Sequence, residues 1–124
     1  MDVVGTLNLD NVNCTFTGGT VSGTGFLNFA GTDTITATSG VTFAVDTMEQ
    51  VNGSAIIGTA GSTMSIAAGS TWRILTTTRL SMETVTNNGL IDLYITAPNG
   101  DKRFDGDLIN NGTIDHHNGQ SYHY

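Results

Sequence analysis

The sequence NNGLID at residues 87–92 is written again, with one substitution, as NNGTID at residues 110–115. Self-similarity at a fixed interval of about 20 to 50 residues is typical of repeat proteins. Two explanations are open at this point. The phrase is either a duplicated pair of catalytic carboxylates, Asp92 and Asp115, or one structural position that recurs in successive coils.

A glycine followed by a short alternating segment recurs along the chain. Alternation of apolar and polar residues with period two predicts strands, and Gly and Asn supply the turns between them. The units GSTMSI and GSTWRI start at Gly61 and Gly69, an interval that fits successive faces of one coil or a tight bend. Only RLSMETV at residues 79–85 favours one helical turn or a cap. The other units start at Gly5, Gly25, Gly40, Gly89 and Gly112.

The composition is that of one strand-rich domain, residues 1–124. Only 12% of the residues are charged, against about 25% in an average soluble domain. Recurring aliphatic residues argue against a disordered Gly/Ser/Thr linker. The net charge of −7 argues against nucleic acid and anionic membrane surfaces as partners, since both attract Lys and Arg. The four basic residues, which do not form a stripe, are Arg73, Arg79, Lys102 and Arg103.

No targeting or membrane-spanning segment is predicted. The N-terminal sequence MDVVGTLNLD has neither a basic region nor an apolar core of a secretory signal. No run of about 18 apolar residues is present, so no transmembrane helix is expected. We therefore expect synthesis in the cytoplasm of the host cell.

Short strands at intervals of about 20 to 24 residues favour a parallel β-helix over an antiparallel sandwich. In a β-helix, equivalent positions of successive coils lie about 4.8 Å apart, so the same turn residues recur. Residues 22–43, 61–74 and the two Asn-Asn-Gly phrases resemble the right-handed parallel β-helix repeats of bacterial surface adhesins and phage-particle proteins. The expected fold is all-β: a single-domain, right-handed parallel β-helix of about five short coils.

The repeated phrase then becomes a structural ladder. Ile91 should stack on Ile114 in the core and Asp92 on Asp115 on the exposed outer wall, where Asn8, Asn28 and Tyr94 also point. If the amide partners are left buried and unpaired, Asn88→Ala should cost about 1–3 kcal/mol. The predicted ladder consists of Asn87, Asn88, Gly89 and Ile91 in one coil and Asn110, Asn111, Gly112 and Ile114 in the next.

Two segments interrupt the regular pattern. Pro98-Asn99-Gly100 is a strong turn signal, which predicts a hairpin or loop excursion around Pro98–Asp105. Residues 116–124 are predicted to be a polar C-terminal tail. The candidate partner contacts in these segments are Lys102, Arg103, His116, His117 and His123.

The chain carries little that predicts chemistry. Asp92 and Asp115 on one outer face would suit acid–base work, as in β-helix enzymes acting on polysaccharides, but no second loop is predicted that would build a cleft. The acidic turn at residues 101–107 lacks the spacing of known calcium loops, and the C-terminal histidines lack zinc-ligand spacing. The single Cys14 cannot form an intramolecular disulfide. We expect no enzymatic activity, no cofactor and no metal.

The resemblance implies a structural protein of a phage virion. The leading expectation is a capsid decoration (cement) protein, a homotrimer that stabilises the capsid lattice and contacts itself and the major capsid protein. One alternative is a carbohydrate-binding or carbohydrate-hydrolysing tailspike, fibre or adhesin β-helix. Another is an ice-binding β-solenoid, although the threonine clusters at residues 15–17, 32–38 and 76–78 do not recur at one coil period.

Overall fold

The computed structural model describes residues 1–31, 34–51, 55–75, 78–94 and 102–117, with the backbone alone for 78–80 and 102–104. All regular secondary structure in these ranges is β-strand, and every strand pairing is parallel. The predicted all-β parallel β-helix is therefore confirmed, whereas its right-handed sense stays a prediction. The strands are β1 (Thr6–Leu9), β2 (Asn13–Phe16), β3 (Gly19–Phe29), β4 (Thr34–Ala37), β5 (Val41–Gln50), β6 (Ala55–Gly58), β7 (Thr63–Ile66), β8 (Thr71–Ile74), β9 (Thr78–Asn87), β10 (Leu90–Tyr94), β11 (Lys102–Asn110) and β12 (Thr113–His117).

The strands stack into three faces of a β-solenoid. Face 1 contains β1, the second halves of β3 and β5, β8, β10 and β12. Face 2 contains β2, β4, β6 and the first halves of β9 and β11. Face 3 contains the first halves of β3 and β5, β7, and the second halves of β9 and β11. The units that start at Gly61 and Gly69 lie on faces 3 and 1, so their short interval separates successive faces of one coil.

The core consists of inward columns in which each side chain packs on its equivalent in the next coil. On face 1 the register joins Leu27 to Met48, Met48 to Trp72 and Trp72 to Ile91. These four side chains are buried from solvent. Burial of stacked apolar side chains therefore holds the coils together.

Within the described range no membrane-length apolar helix occurs.

Both amide pairs of the repeated phrase meet across the coils, but in different surroundings. The Asn87 side chain is 0% exposed; its Nδ2 donates to Asn110 Oδ1 at 2.8 Å and to the Thr113 carbonyl at 3.0 Å. Its Oδ1 accepts a hydrogen bond from the Gly89 N–H at 3.1 Å.

The second amide pair lies on the surface. Asn111 Nδ2 donates to Asn88 Oδ1 at 3.1 Å, and both side chains are exposed. The expected cost of Asn88→Ala assumed that the partners of this amide are buried. They are exposed, so that cost does not apply. The buried member of the Asn-Asn pair is Asn87, because its side chain turns inward at the end of β9.

The glycines of the two phrases are required by close packing between coils. A Cβ on Gly112 would collide with the Gly89 carbonyl oxygen of the coil before, and a Cβ on Gly89 would collide with the Ser70 carbonyl oxygen. The corner therefore brings backbone against backbone, and the same residue type recurs because each coil repeats the constraint.

The predicted excursion at Pro98–Asp105 is wrong in its second half. Lys102–Asp105 form the start of β11 and pair in register with residues 78–81 of β9, so the strand has already begun at Lys102. The Asp-Gly-Asp sequence is a corner, where the register shifts and Gly106 takes φ 124° as the chain passes from face 2 to face 3. Pro98 lies outside the described residues.

Two further boundaries differ from the sequence-based expectations. Arg79–Val85 lies within β9, because pairing with β6 and β7 overrides its weak helical pattern. His116 and His117 belong to β12, where they pair with β10, and are not the start of a tail. The rest of the predicted tail, with His123, lies outside the described residues.

We predict that Asn87→Ala lowers the free energy of unfolding by about 1–3 kcal/mol, because it removes a buried amide that donates to Asn110 Oδ1 and the Thr113 carbonyl and accepts from the Gly89 N–H. The matched control is Asn88→Ala, whose exposed amide should cost less than about 0.5 kcal/mol. Urea unfolding followed by circular dichroism measures both. Equal losses in the two variants would contradict the buried-amide assignment.

We predict that Gly112→Ala destabilises the fold by about 1–3 kcal/mol, since the added methyl must push two coils apart. Thr113→Ala removes an exposed side chain from the next residue and serves as the control. Thermal unfolding measures the difference. A Gly112→Ala protein as stable as the control would mean that the corner is not closely packed.

Candidate functional site

A column of polar and charged side chains runs along the outer surface of face 1. Strand register places its members directly above one another, one from each coil. The sequence predicted the stacking of Asp92 on Asp115. It did not predict that Glu49 and Arg73 continue the same column. The charged column consists of Asn8, Asn28, Glu49, Arg73, Asp92 and Asp115.

Arg73 lies between two carboxylates of the charged column. Its Nη1 is 3.4 Å from Glu49 Oε2, and its Nε is 3.8 Å from Asp92 Oδ2. Because the Arg73 side chain is 37% exposed, each pair adds little stability. The main effect of these contacts is to hold one oxygen of Asp92 toward Arg73.

His117 meets both aspartates of the repeated phrase. Its Nε2 is 2.6 Å from Asp92 Oδ1 and 3.6 Å from Asp115 Oδ2. The other oxygen of Asp115, Oδ1, accepts a hydrogen bond from the backbone N–H of His116 at 2.8 Å. Each aspartate therefore has one oxygen held by another group and one oxygen directed toward the His117 imidazole.

The imidazole of His117 is oriented by an aromatic neighbour. It stacks on the ring of Tyr94, with 4.2 Å between ring centroids and 15° between planes. The guanidinium of Arg73 lies 5.2 Å from the centre of the same Tyr94 ring. Since β8 and β12 flank β10 on opposite sides, both sides of Tyr94 are in contact. The ring therefore serves as a support for its neighbours.

Asp92 and Asp115 were both expected to be exposed, and this holds for Asp115 alone. The Asp115 side chain is 59% exposed, but Asp92 as a whole residue is only 8% exposed. Arg73 and His117 cover Asp92 from the two adjacent coils. Alternation predicts the side of the strand on which a residue lies, but not what its neighbours in the next coils cover.

Asp92, Asp115 and His117 could hold a metal ion together. In the described part of the chain, no other group of three or more His, Cys, Asp or Glu side chains lies close enough to do so. The His117 nitrogen and one oxygen from each of Asp92 and Asp115 all lie within 4.8 Å of one another. Such a group can share a proton or hold a cation. The expectation from the sequence that Asp92 and Asp115 do no acid–base work stays a prediction. We call Arg73, Asp92, Tyr94, Asp115 and His117 the Asp92 cluster.

The remaining candidate residues are spread over the molecule. Lys102 and Arg103 lie on face 2, so the structure does not bring them to the histidines of face 1. His116 and His117 are neighbours on β12, but only His117 joins the Asp92 cluster. His123 lies outside the described residues. The sequence analysis did not identify Arg73 and Glu49 as partners of this site. Arg73 lies one coil before Asp92, and Glu49 lies one coil before Arg73.

Known proteins offer no guide to the use of this site. No family model matches the chain, no curated protein matches it, and no solved structure matches it.

We predict a coupling free energy of about 0.5–1 kcal/mol between Arg73 and Asp92, modest because Arg73 is partly solvated. A double-mutant cycle of Arg73→Met and Asp92→Asn, measured by urea unfolding at low salt, gives this value. The coupling should fall in high salt as the charges are screened. Coupling that is absent at low salt would contradict the ion pair.

Proposed function

We propose that the chain is a non-enzymatic structural protein that assembles with other subunits through an end of its coil stack. The observation that carries this proposal is the half-buried core of the first coil. Leu7, Leu9, Cys14 and Phe16 point inward and pack on the core but remain partly exposed. Apolar surface at a solenoid end is the usual place for a cap or a partner.

The strand edges of the first coil support the same proposal. Among the described strands, β1 pairs only with β3, and β2 pairs only with β4. Their outer edges carry backbone groups that another β-structure can pair with. The first coil also exposes Met1 at 58%, Val4 at 79% and Val12 at 38%. A partner seated on this end would bury these side chains and pair these edges.

The more specific proposal is a capsid decoration (cement) protein of a phage virion, acting as a homotrimer and contacting the major capsid protein. It is supported by the resemblance of the repeats and by the acidic, weakly charged composition. A stiff stack of coils suits a clamp between capsid subunits, since parallel ladders resist bending and the end coil supplies the contact. The protein would then be located on the virion after synthesis in the host.

We expect the purified chain to have a native mass of about three times its 13.0 kDa, measured by light scattering after size-exclusion chromatography. We also expect to find it by mass spectrometry in density-purified phage particles from its source. A monomer that is absent from such particles would contradict the proposal.

The contact surface has a matched test. The double variant Val4→Asp/Val12→Asp places charge on the first coil and should abolish the oligomer or the particle association. Ile57→Asp introduces the same kind of charge at an apolar residue on the outer surface of face 2, which at 37% exposed matches Val12 at 38%. Loss of assembly in Ile57→Asp alone would instead place the contact on the side of the solenoid.

A further inference from the structure

We propose that Asp92, Asp115 and His117 form a binding site for a divalent transition-metal ion, with Zn²⁺ as the ion that best fits the donor set. One imidazole nitrogen and two carboxylate oxygens suit zinc and its neighbours better than calcium or magnesium, which prefer oxygen alone. The site is independent of the proposed virion function.

One of the two measured donor pairs already has the spacing that a shared ion requires. In tetrahedral coordination, metal–ligand bonds of about 2.0–2.2 Å place neighbouring ligands roughly 3.3–3.6 Å apart. The 3.6 Å between His117 Nε2 and Asp115 Oδ2 fits this range, whereas the 2.6 Å between His117 Nε2 and Asp92 Oδ1 is a hydrogen-bond distance that must lengthen when an ion enters. Asp115 is the more exposed of the two aspartates, so its carboxylate has room to turn toward an ion.

Each aspartate directs one carboxylate oxygen toward His117 and its second oxygen toward another group. Asp92 Oδ2 faces Arg73 at 3.8 Å, and Asp115 Oδ1 accepts from the His116 backbone. Tyr94 fixes the plane of the His117 ring by stacking. Groups of this kind around a metal site orient its ligands and set their basicity.

The contact between His117 Nε2 and Asp92 Oδ1 marks the position that an ion would take. At 2.6 Å a proton lies between the two atoms, and the N–H of a neutral imidazole can supply it. A metal ion bound by both atoms would replace that proton. The Asp92 side chain is 11% exposed, and a largely buried carboxylate needs compensation of its charge.

Charge in the column favours a divalent ion over a single proton. Glu49, Asp92 and Asp115 supply three negative charges and Arg73 supplies one positive charge, which leaves two negative charges uncompensated. A protonated His117 removes one of them. A divalent ion bound to neutral His117 removes both, and its remaining coordination positions are open to water or to a donor from another molecule.

The test is a ZnCl₂ titration of the purified full chain by isothermal titration calorimetry in a non-chelating buffer. We expect one ion per chain for the wild type, and affinity at least about tenfold weaker for His117→Gln and for Asp115→Asn. The matched control is His116→Gln, which alters the adjacent histidine but retains the backbone N–H that Asp115 uses. This variant should bind Zn²⁺ like the wild type.

A second readout guards against a variant that loses its fold. Co²⁺ in place of Zn²⁺ should give visible absorption bands in the wild type and in His116→Gln but not in Asp115→Asn, whose exposed side chain is the least needed for folding. Circular dichroism checks the fold of each variant. Wild-type protein without saturable Zn²⁺ binding, binding unchanged in His117→Gln and Asp115→Asn, or tighter binding of Ca²⁺ or Mg²⁺ than of Zn²⁺ would each overturn the proposal.

Discussion

In-register parallel stacking is the constraint on which the rest of this structure depends. Each side chain lies about 4.8 Å from its equivalent in the next coil, on the same face and pointing the same way. Apolar residues gain from that arrangement, as Met48, Trp72 and Ile91 do in the core. Amides gain as well, since Asn87 and Asn110 each have a donor and an acceptor to offer. Stacked like charges repel one another and destabilise the stack. An outer column that contains them therefore needs neighbours of opposite charge or a bound ion.

The charged column meets that requirement in two different ways. Between Glu49 and Asp92 the stack inserts Arg73, so the sign of the charge alternates from coil to coil. Between Asp92 and Asp115 no basic residue intervenes in the column, and His117 reaches across from two positions further along the strand. The Asp92 cluster thus gathers groups from β8, β10 and β12, which are consecutive in the stack although separated along the chain.

The described stack also has two chemically different ends. The first coil has half-buried Leu7 and Leu9 and an exposed Val4. At the other end, Leu108 and Ile114 are half-buried, and the outer side of β12 carries Asp115 and His117. Apolar core is therefore partly exposed at both ends, and the ends differ in the charged groups that lie beside it. The proposed assembly and the proposed metal site do not require each other.

The sequence by itself determined the strand content, the parallel stack and the pairing of Asn87 with Asn110, Ile91 with Ile114 and Asp92 with Asp115. It could do so because a repeated phrase keeps the same residue types wherever coils share a corner. It did not determine that Arg73 belongs to the same column, because the coils differ in length and the repeat that contains Arg73, GSTWRI, matches GSTMSI on another face of the coil. Nor did it assign His117 to β12, since two histidines before a polar stretch have no periodic pattern of their own. Burial of Asp92 and its contact with His117 were decided by tertiary structure, because they depend on side chains from the coils above and below.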